Sequence, residues 1–344
     1  MDLSQREKYS RQILFAGIGE DGQTQILNSS AVLVGCGAIG TVVSNLLVRA
    51  GMGRLRIIDR DFVETSNLQR QTLFEEADAR EAVPKAIAAE RRLRAINLDT
   101  KIEGVVSDLT PKNARELLSG FQLILDGSDN FQTRLLLNDA AIALGVPWIY
   151  AAAVGSYGVT MTIRPNETAC LACLLESEGG AFQGLEETCD TVGVLNAAAG
   201  FAASMEAGEA VKILAGKVKA VSERVISFDV WRARFQAVRV ARNPECRACV
   251  RRKFTYLEGE IQPHITMCGR DSVQIHEKNR DLDLEDLKRR LADASIAGVR
   301  NNEFLLRFCI PPYEMTVFTN GRAIVKGTKD AAVARSLYAR YIGA

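Results

Sequence analysis

A chain of 344 residues is long enough to bury a full core, as two domains or as one large and one small. Its 43 basic and 42 acidic side chains balance, so the charge carries no footprint of nucleic acid or an anionic membrane. The opening "MDLSQREKYS" is charged and lacks the apolar stretch of a signal peptide, so a cytoplasmic protein is expected.

In chain order, residues 31–59 spell a βαβ unit. "AVLVG" is an apolar strand, "TVVSNLLVRAG" has helical spacing and stops at Gly51, and "RLRIID" is the next strand. "PKAIAAERRLRAIN" fits a helix with Pro84 in its first turn. "FQLILDGSDN" is a buried strand running into a polar loop, "TRLLLNDAAIAL" a helix, and "PWIYAAAV" and "YGVTMTI" strands. The uncharged run Ala140 to Ile163 is broken by "GVP" and "GSYG", so it reads as helix end, strand, turn and strand rather than a membrane span. "LESEGGAFQGLEETCD" is acidic and glycine-rich and reads as an exposed, mobile connection. "VGVLNAAAGFAASMEAGEAVKILAG" is a long helix of small residues, suited to close packing, and "VISFDVWRARFQAVRVARNPECRAC" holds two late strands. The pattern breaks near "YLEGEIQP". The remainder reads strand, helix, strand, hairpin at "TNGRA", and helix. The expected fold is α/β and Rossmann-like: a largely parallel sheet continued by antiparallel strands, over residues 1–255, with a small α+β module over 263–344.

The turn Gly35-Cys36-Gly37-Ala38-Ile39-Gly40 fits GxGxxG, in which glycines let backbone N–H groups approach a phosphate at a helix N-terminus. Asp59 follows nineteen residues after Gly40, at a strand end, where a carboxylate can hold ribose hydroxyls. This pattern does not choose between NAD and ATP. Three cations do: Arg70 in "SNLQRQ", Lys85, and Arg11 in "YSRQ". Several cations around one phosphate chain suit adenylyl transfer with pyrophosphate leaving. Asp129, in the loop after "LILD", stands where a Mg²⁺ would be held at the sheet's C-terminal edge. The first 263 residues contain no histidine to serve as the proton shuttle of a dehydrogenase.

"YSRQILFAGIGEDGQ", "VLVGCGAIG", "IIDRDFVETSNLQRQTLF", "PK", "LDGSDNFQTRLLLNDA", "CLAC", "TCDTVGVLNAAAG" and "NPECRAC" occur in an order and spacing that resembles the MoeB/ThiF family, the bacterial branch of the ubiquitin-activating enzymes. The resemblance spans roughly residues 6 to 252. It implies ATP as substrate with Mg²⁺, and adenylylation of the Gly-Gly tail of a ThiS/MoaD-like sulfur carrier for thiamine, molybdopterin or a related pathway. Carried onto this chain, Asp59 would bind ribose, Asn67, Arg70 and Lys85 the phosphates, and Asp129 the metal. Asp61, Gln71 and Asn130 complete the implied nucleotide site, and Arg11 would enter the site of a second copy, which calls for a homodimer. Two departures are local: Ala38 stands where a third glycine is common, and "EAVPK" alters the approach to the lysine.

Of eight cysteines, Cys170, Cys173, Cys246 and Cys249 form two C-x2-C pairs, which read as one closed structural Zn²⁺ site per chain. The 72 residues between Cys173 and Cys246 mean that the metal would clip distant segments together. Cys189 in "EETCDT" matches a family position that forms a thioester or acyl-persulfide in some members and is not needed in others. Glu186, Glu187 and Asp190 oppose thiolate formation, and a simple structural thiol is the alternative. Cys36 and Cys309 read as packing residues, and Cys268 in "TMCGRDS" as a strand-lining thiol. The two alternatives are an NAD-dependent oxidoreductase, which leaves Arg70, Lys85 and the paired cysteines without a role, and a non-catalytic ATP-binding scaffold.

Overall fold

In the computed structural model the described residues are 1–175, 192–260, 272–276, 282–294, 296, 298–319 and 321–343. They fall into two compact units, Met1–Gln262 and Pro263–Ala344. The stretch containing Cys189 and the segment containing Cys268 lie outside the described residues.

The first unit is built on eight strands: β1 Ser30–Val34, β2 Arg54–Asp59, β3 Lys101–Val106, β4 Leu123–Asp126, β5 Trp148–Val154, β6 Tyr157–Ile163, β7 Arg224–Asp229 and β8 Arg234–Arg239. Their order is β3-β2-β1-β4-β5-β6-β7-β8. Pairings from β3 to β5 are parallel and those from β5 to β8 antiparallel, as the α/β reading requires. Strands β1 and β4 are apolar along almost their whole length because helices cover both faces of a parallel sheet. One face carries helices Ala38–Arg49, Lys85–Ile96 and Asn196–Leu214 over Leu33, Leu55 and Ile57. The other carries helix Phe131–Leu144 and the paired cysteines over Ile124, Trp148 and Ile163. Each fully buried leucine contributes roughly 2 to 3 kcal/mol by leaving water. The small-residue helix Asn196–Leu214 buries Ala199, Ala202, Ala203 and Ala210, which lets it lie close to helix Ala38–Arg49.

Chain order reverses between β2 and β4, which flank β1 in register through Val34, Ile58 and Asp126. A crevice opens at the C-terminal ends of such strands, where one connection leaves to each side. The glycine turn and the loops after β2 and β4 issue from that edge. β3, a strand missed in the sequence, has the burial pattern of an edge: Lys101 and Glu103 face solvent and only Ile102 is buried.

The second unit has strands β9 Ser272–His276, β10 Arg300–Asn301, β11 Leu305–Ile310, β12 Tyr313–Phe318 and β13 Arg322–Lys326, ordered β10-β11-β12-β13-β9 and all antiparallel. Its helices Leu284–Asp293 and Ala331–Tyr341 are N-capped by Asp283 and Asp330, whose carboxylates accept backbone N–H bonds. Leu287, Leu306, Phe308, Met315, Val317 and Val325 form its core. Cys309 corrects one expectation: it is exposed, not packed. Leu306 and Phe308 turn inward, and the two-residue period of β11 puts Arg307 and Cys309 on the opposite face. No helix among the described residues is long and apolar enough to cross a membrane.

Candidate functional site

The glycine turn joins β1 to helix Ala38–Arg49, and each glycine has its own reason. Gly35 has φ +89, and a side chain there would start 2.5 Å from the Gly127 carbonyl oxygen. One on Gly40 would start 2.2 Å from the Gly35 carbonyl oxygen. Gly37 is the opposite case. A Cβ there would meet nothing closer than Gly127 O at 3.9 Å and Gln71 Nε2 at 4.0 Å, so the backbone is open to an incoming group. Gly37 is also the helix N-cap and offers no side chain to the first-turn N–H groups, which are left for an anion. Ala38 packs its methyl against the apolar core.

Asp59, at the end of β2, closes this turn. Its Oδ2 accepts the Cys36 N–H at 2.6 Å and its Oδ1 accepts the Asp61 N–H at 2.7 Å. A carboxylate has about four lone-pair sites, so two remain for ribose hydroxyls. Burial pushes the Asp59 carboxyl above its ordinary range, Lys85 pulls it back, and Asp61 pushes it up again. Lys85 is brought there by backbone pairing: Val63 N–H donates to Val83 O and Lys85 N–H to Asp61 O, both at 2.8 Å. Its ammonium is 5% exposed as a residue and lies 3.6 Å from Asp61 Oδ2. Pro84 is the N-cap of this helix, one position before the first turn.

Arg60, which the sequence reading passed over, donates to Asp108 at 2.9 Å and lies 3.8 Å from Asp61. Burial works against its charge, but Asp108, Asp61 and Asp129 outweigh that and hold the guanidinium firmly protonated.

In the hexapeptide "SNLQRQ", Asn67 is buried and accepts the Glu64 N–H at 3.1 Å. Its Nδ2 and the Gln71 Oε1 are buried polar atoms with no partner among the described residues. Such atoms cost about 1 to 3 kcal/mol unless a ligand or water meets them. Arg70 is half-buried and donates to the Ser66 carbonyl at 2.9 Å. The hexapeptide is tied to the small-residue helix by Asn196, which donates to Gln69 O at 3.4 Å.

The loop after β4 meets the glycine turn directly: Gly127 N–H donates to Val34 O at 2.8 Å, and a Cβ on Gly127 would start 2.1 Å from Gly35 O. Asp129 is exposed at the tip. Asn130 caps helix Phe131–Leu144 by accepting the Thr133 N–H at 2.8 Å, and its amide lies 3.3 Å from Asp129 Oδ1. Asp129 therefore has no capping duty, and its exposed carboxylate is accessible to a cation.

Arg11 stands apart. It is exposed on helix Ser10–Ile13, whose neighbour Gln12 donates to Ala50 O at 3.0 Å. Ala50 ends the helix that begins at the glycine turn, and twelve residues at about 1.5 Å each put it some 18 Å away. That is beyond the reach of one arginine, so Arg11 does not serve its own turn. Leu14 and Phe15 beside it are 73% and 64% exposed.

The cysteine sulfurs converge. Cys170 lies 3.8 Å from Cys173 and 3.6 Å from Cys246, Cys173 lies 3.5 Å from Cys249, and all four are buried. A tetrahedron with metal–sulfur bonds of about 2.3 Å has edges of about 3.8 Å, so the four thiols fit a closed zinc site with no open position. Asn243 N–H points at Cys173 Sγ from 3.4 Å, and Arg242 donates to the Cys249 carbonyl at 2.7 Å. Both halves are moored to helix Phe131–Leu144: Asn138 Oδ1 accepts Leu171 N–H at 2.9 Å, and Asp139 takes Arg247 through both oxygens at 3.1 Å.

The crevice thus combines bare helix N–H groups, a ribose-competent carboxylate, a buried lysine and an exposed aspartate. It can hold a nucleotide's phosphates and a cation together. Residues 9–248 match the ThiF family. The chain is 43% identical over 343 residues to the sulfur carrier protein ThiS adenylyltransferase of Bacillus subtilis, covering 98% of this chain and 99% of that one. It is 36% identical over 248 residues to the sulfur carrier protein adenylyltransferase of Thermus thermophilus, covering 71% of this chain and 90% of that one. The crystal structure of Escherichia coli MccB with ATP superposes with a TM-score of 0.62 at 22% identity, over 70% of this chain and 74% of that one, a likeness of fold.

Proposed function

The chain belongs to the ThiF family, and we propose that it adenylylates the C-terminal glycine of a ubiquitin-like sulfur-carrier protein, serving thiamine, molybdopterin or a related sulfur-transfer pathway. The carrier's tail carboxylate attacks the α-phosphorus of ATP. A carboxyl O–P bond forms as the bridging bond to the β-phosphate breaks, and the electron pair leaves with pyrophosphate. No proton has to move, so the step needs positioning and charge neutralisation rather than a general base.

Lys85 is the observation that supports this reading most. It keeps a buried positive charge at the strand ends, 3.6 Å from Asp61, where a phosphate chain lying over the glycine turn would meet a cation already held in place. In this account the Gly37 backbone and the bare helix N-terminus cradle the phosphates, and Asp59 takes the ribose. Lys85, Arg70 and the unpartnered Asn67 Nδ2 face the phosphate chain, with Gln71 beside them. Mg²⁺, when bound, screens the charge growing on pyrophosphate, and Asp129 is the carboxylate available to hold it, with Asn130 beside it. Arg11 completes the site of a second copy, because it cannot reach its own turn, and the exposed Leu14 and Phe15 suit that contact. Zinc in the four-cysteine site is structural, and Cys189 acts only in later sulfur transfer.

The carrier's body docks on the β7–β8 hairpin. All six residues of β8 are exposed, Phe235 at 58% and Val238 at 55% among them, and Trp231 in the preceding turn is 80% exposed. Arg232, Arg234 and Arg239 surround these apolar groups and favour an acidic partner.

The product tests the reading. A Gly-Gly-tailed carrier incubated with the protein and Mg-ATP should gain the mass of one AMP moiety by intact-mass spectrometry. A carrier that stays unmodified while ATP is consumed would argue against it.

A further inference from the structure

Beneath the crevice lies a charged group of side chains that none of the proposed contacts uses. Arg134, 6% exposed on helix Phe131–Leu144, donates through Nε to Asp126 Oδ2 at 3.2 Å and through Nη2 to the Ser128 carbonyl at 2.7 Å. Its guanidinium lies 5.3 Å from the ring centres of both Phe131 and Tyr150. Asp126, fully buried at the end of β4, in turn accepts the Ser128 N–H at 2.9 Å and the Ser128 hydroxyl at 2.6 Å. Ser128 is therefore gripped at its N–H, its hydroxyl and its carbonyl. It is the residue immediately before Asp129, and Gly127 before it is wedged against Gly35.

From the other side, Glu206 is fully buried and its Oε1 accepts the Asp126 N–H at 3.0 Å. Burial and the nearby Asp126 charge push Glu206 well above the ordinary carboxyl range, which favours its neutral form beside the Asp126–Arg134 pair.

We propose that Arg134 is the positioning residue of the metal-holding loop: through Asp126 and Ser128 it fixes where Asp129 stands relative to the glycine turn. A loop of free glycine and serine would let that carboxylate wander, and a misplacement of about 1 Å is enough to lose on the order of a hundredfold in a positioned reaction. A guanidinium suits the task because its rigid fork spans a carboxylate and a carbonyl at once, which an ammonium cannot do with the same geometry. This inference rests on the reading of Asp129 as the metal's carboxylate.

The test is the Mg²⁺-linked gain in nucleotide affinity, measured by titration calorimetry of ATP into the full chain with Mg²⁺ and with chelator. Arg134→Lys and Arg134→Gln should leave affinity in chelator within about twofold of wild type. They should lose about tenfold of the gain that Mg²⁺ confers, in parallel with Asp129→Asn. Ser128→Ala, which removes only the hydroxyl bond, should show a smaller loss of the same sign and keeps the test open should Arg134→Gln fail to fold. A fall in thermal stability with the Mg²⁺-linked gain intact in Arg134→Lys or Ser128→Ala would overturn the inference. An Asp129→Asn protein that keeps the wild-type gain would instead overturn the assignment of Asp129.

Discussion

The Cys36 N–H donates to Asp59 Oδ2 at 2.6 Å, so the glycine turn and the carboxylate proposed to hold the ribose are one hydrogen-bonded piece. Under the proposed function, nucleotide affinity and local stability are therefore linked at Asp59. An asparagine has one acceptor oxygen where the carboxylate uses two, so Asp59→Asn leaves a buried N–H facing an NH₂ group. That costs about 1 to 3 kcal/mol of stability. Calorimetry should show ATP binding at least about tenfold weaker, by loss of a charge-assisted ribose bond. Unchanged affinity would remove Asp59 from the nucleotide site.

The paired cysteines predict about one zinc per chain by elemental analysis. Cys246→Ser should release it and cost several kcal/mol, because metal binding energy is folding energy in a closed thiolate site. On a domain of this size that corresponds to a fall in Tm of about 10 °C or more. A variant that loses zinc and melts like wild type would show the metal to be incidental.

The β8 surface predicts a split between substrates. Trp231→Ala and Phe235→Ala should weaken carrier binding by at least about 2 kcal/mol, the usual cost of an aromatic anchor at an interface. ATP affinity measured without carrier should not change. Loss of both would point to a folding defect, and loss of neither would place the carrier elsewhere.

Glu206 predicts a pH dependence. Its folded pKa is raised, chiefly by burial and then by Asp126, with Arg134 opposing. Between the unfolded pKa near 4.5 and the folded value, the folded state keeps a proton that the unfolded state has lost, so stability falls as pH rises. The slope is at most about 1.4 kcal/mol per pH unit. Glu206→Gln keeps the acceptor for Asp126 and removes the titration. Its stability relative to wild type should improve as pH climbs above that lower limit, and parallel melting curves at all pH values would contradict this.

Most of the crevice was legible in the sequence because phosphate chemistry needs particular residues next to particular strand ends. The glycine turn, Asp59 and Lys85 come from separate stretches that only an α/β order brings together, and that order is written in apolar runs of strand and helix length. Residues acting through other residues left less trace. Arg134 and Asp126 look like ordinary members of a helix and a polar loop, since they bond each other and Ser128 and form no motif of their own. Glu206 was readable: with Ala199, Ala203 and Ala210 it falls on one stripe of its helix, a stripe that is buried. The apolar letters of β11 suggest a packed Cys309, but their alternation turns it outward. β3 was missed because Lys101, Glu103 and Gly104 break the apolar run that marks an interior strand.

The most direct measurement is ATP–pyrophosphate exchange with labelled pyrophosphate, in the presence and absence of a Gly-Gly-tailed carrier. The account predicts exchange only when the carrier is present, and its loss by at least about a hundredfold in Asp129→Ala, since the charge on the leaving group would go unscreened. Absence of exchange with every such carrier, or exchange that Asp129→Ala leaves intact, would contradict it.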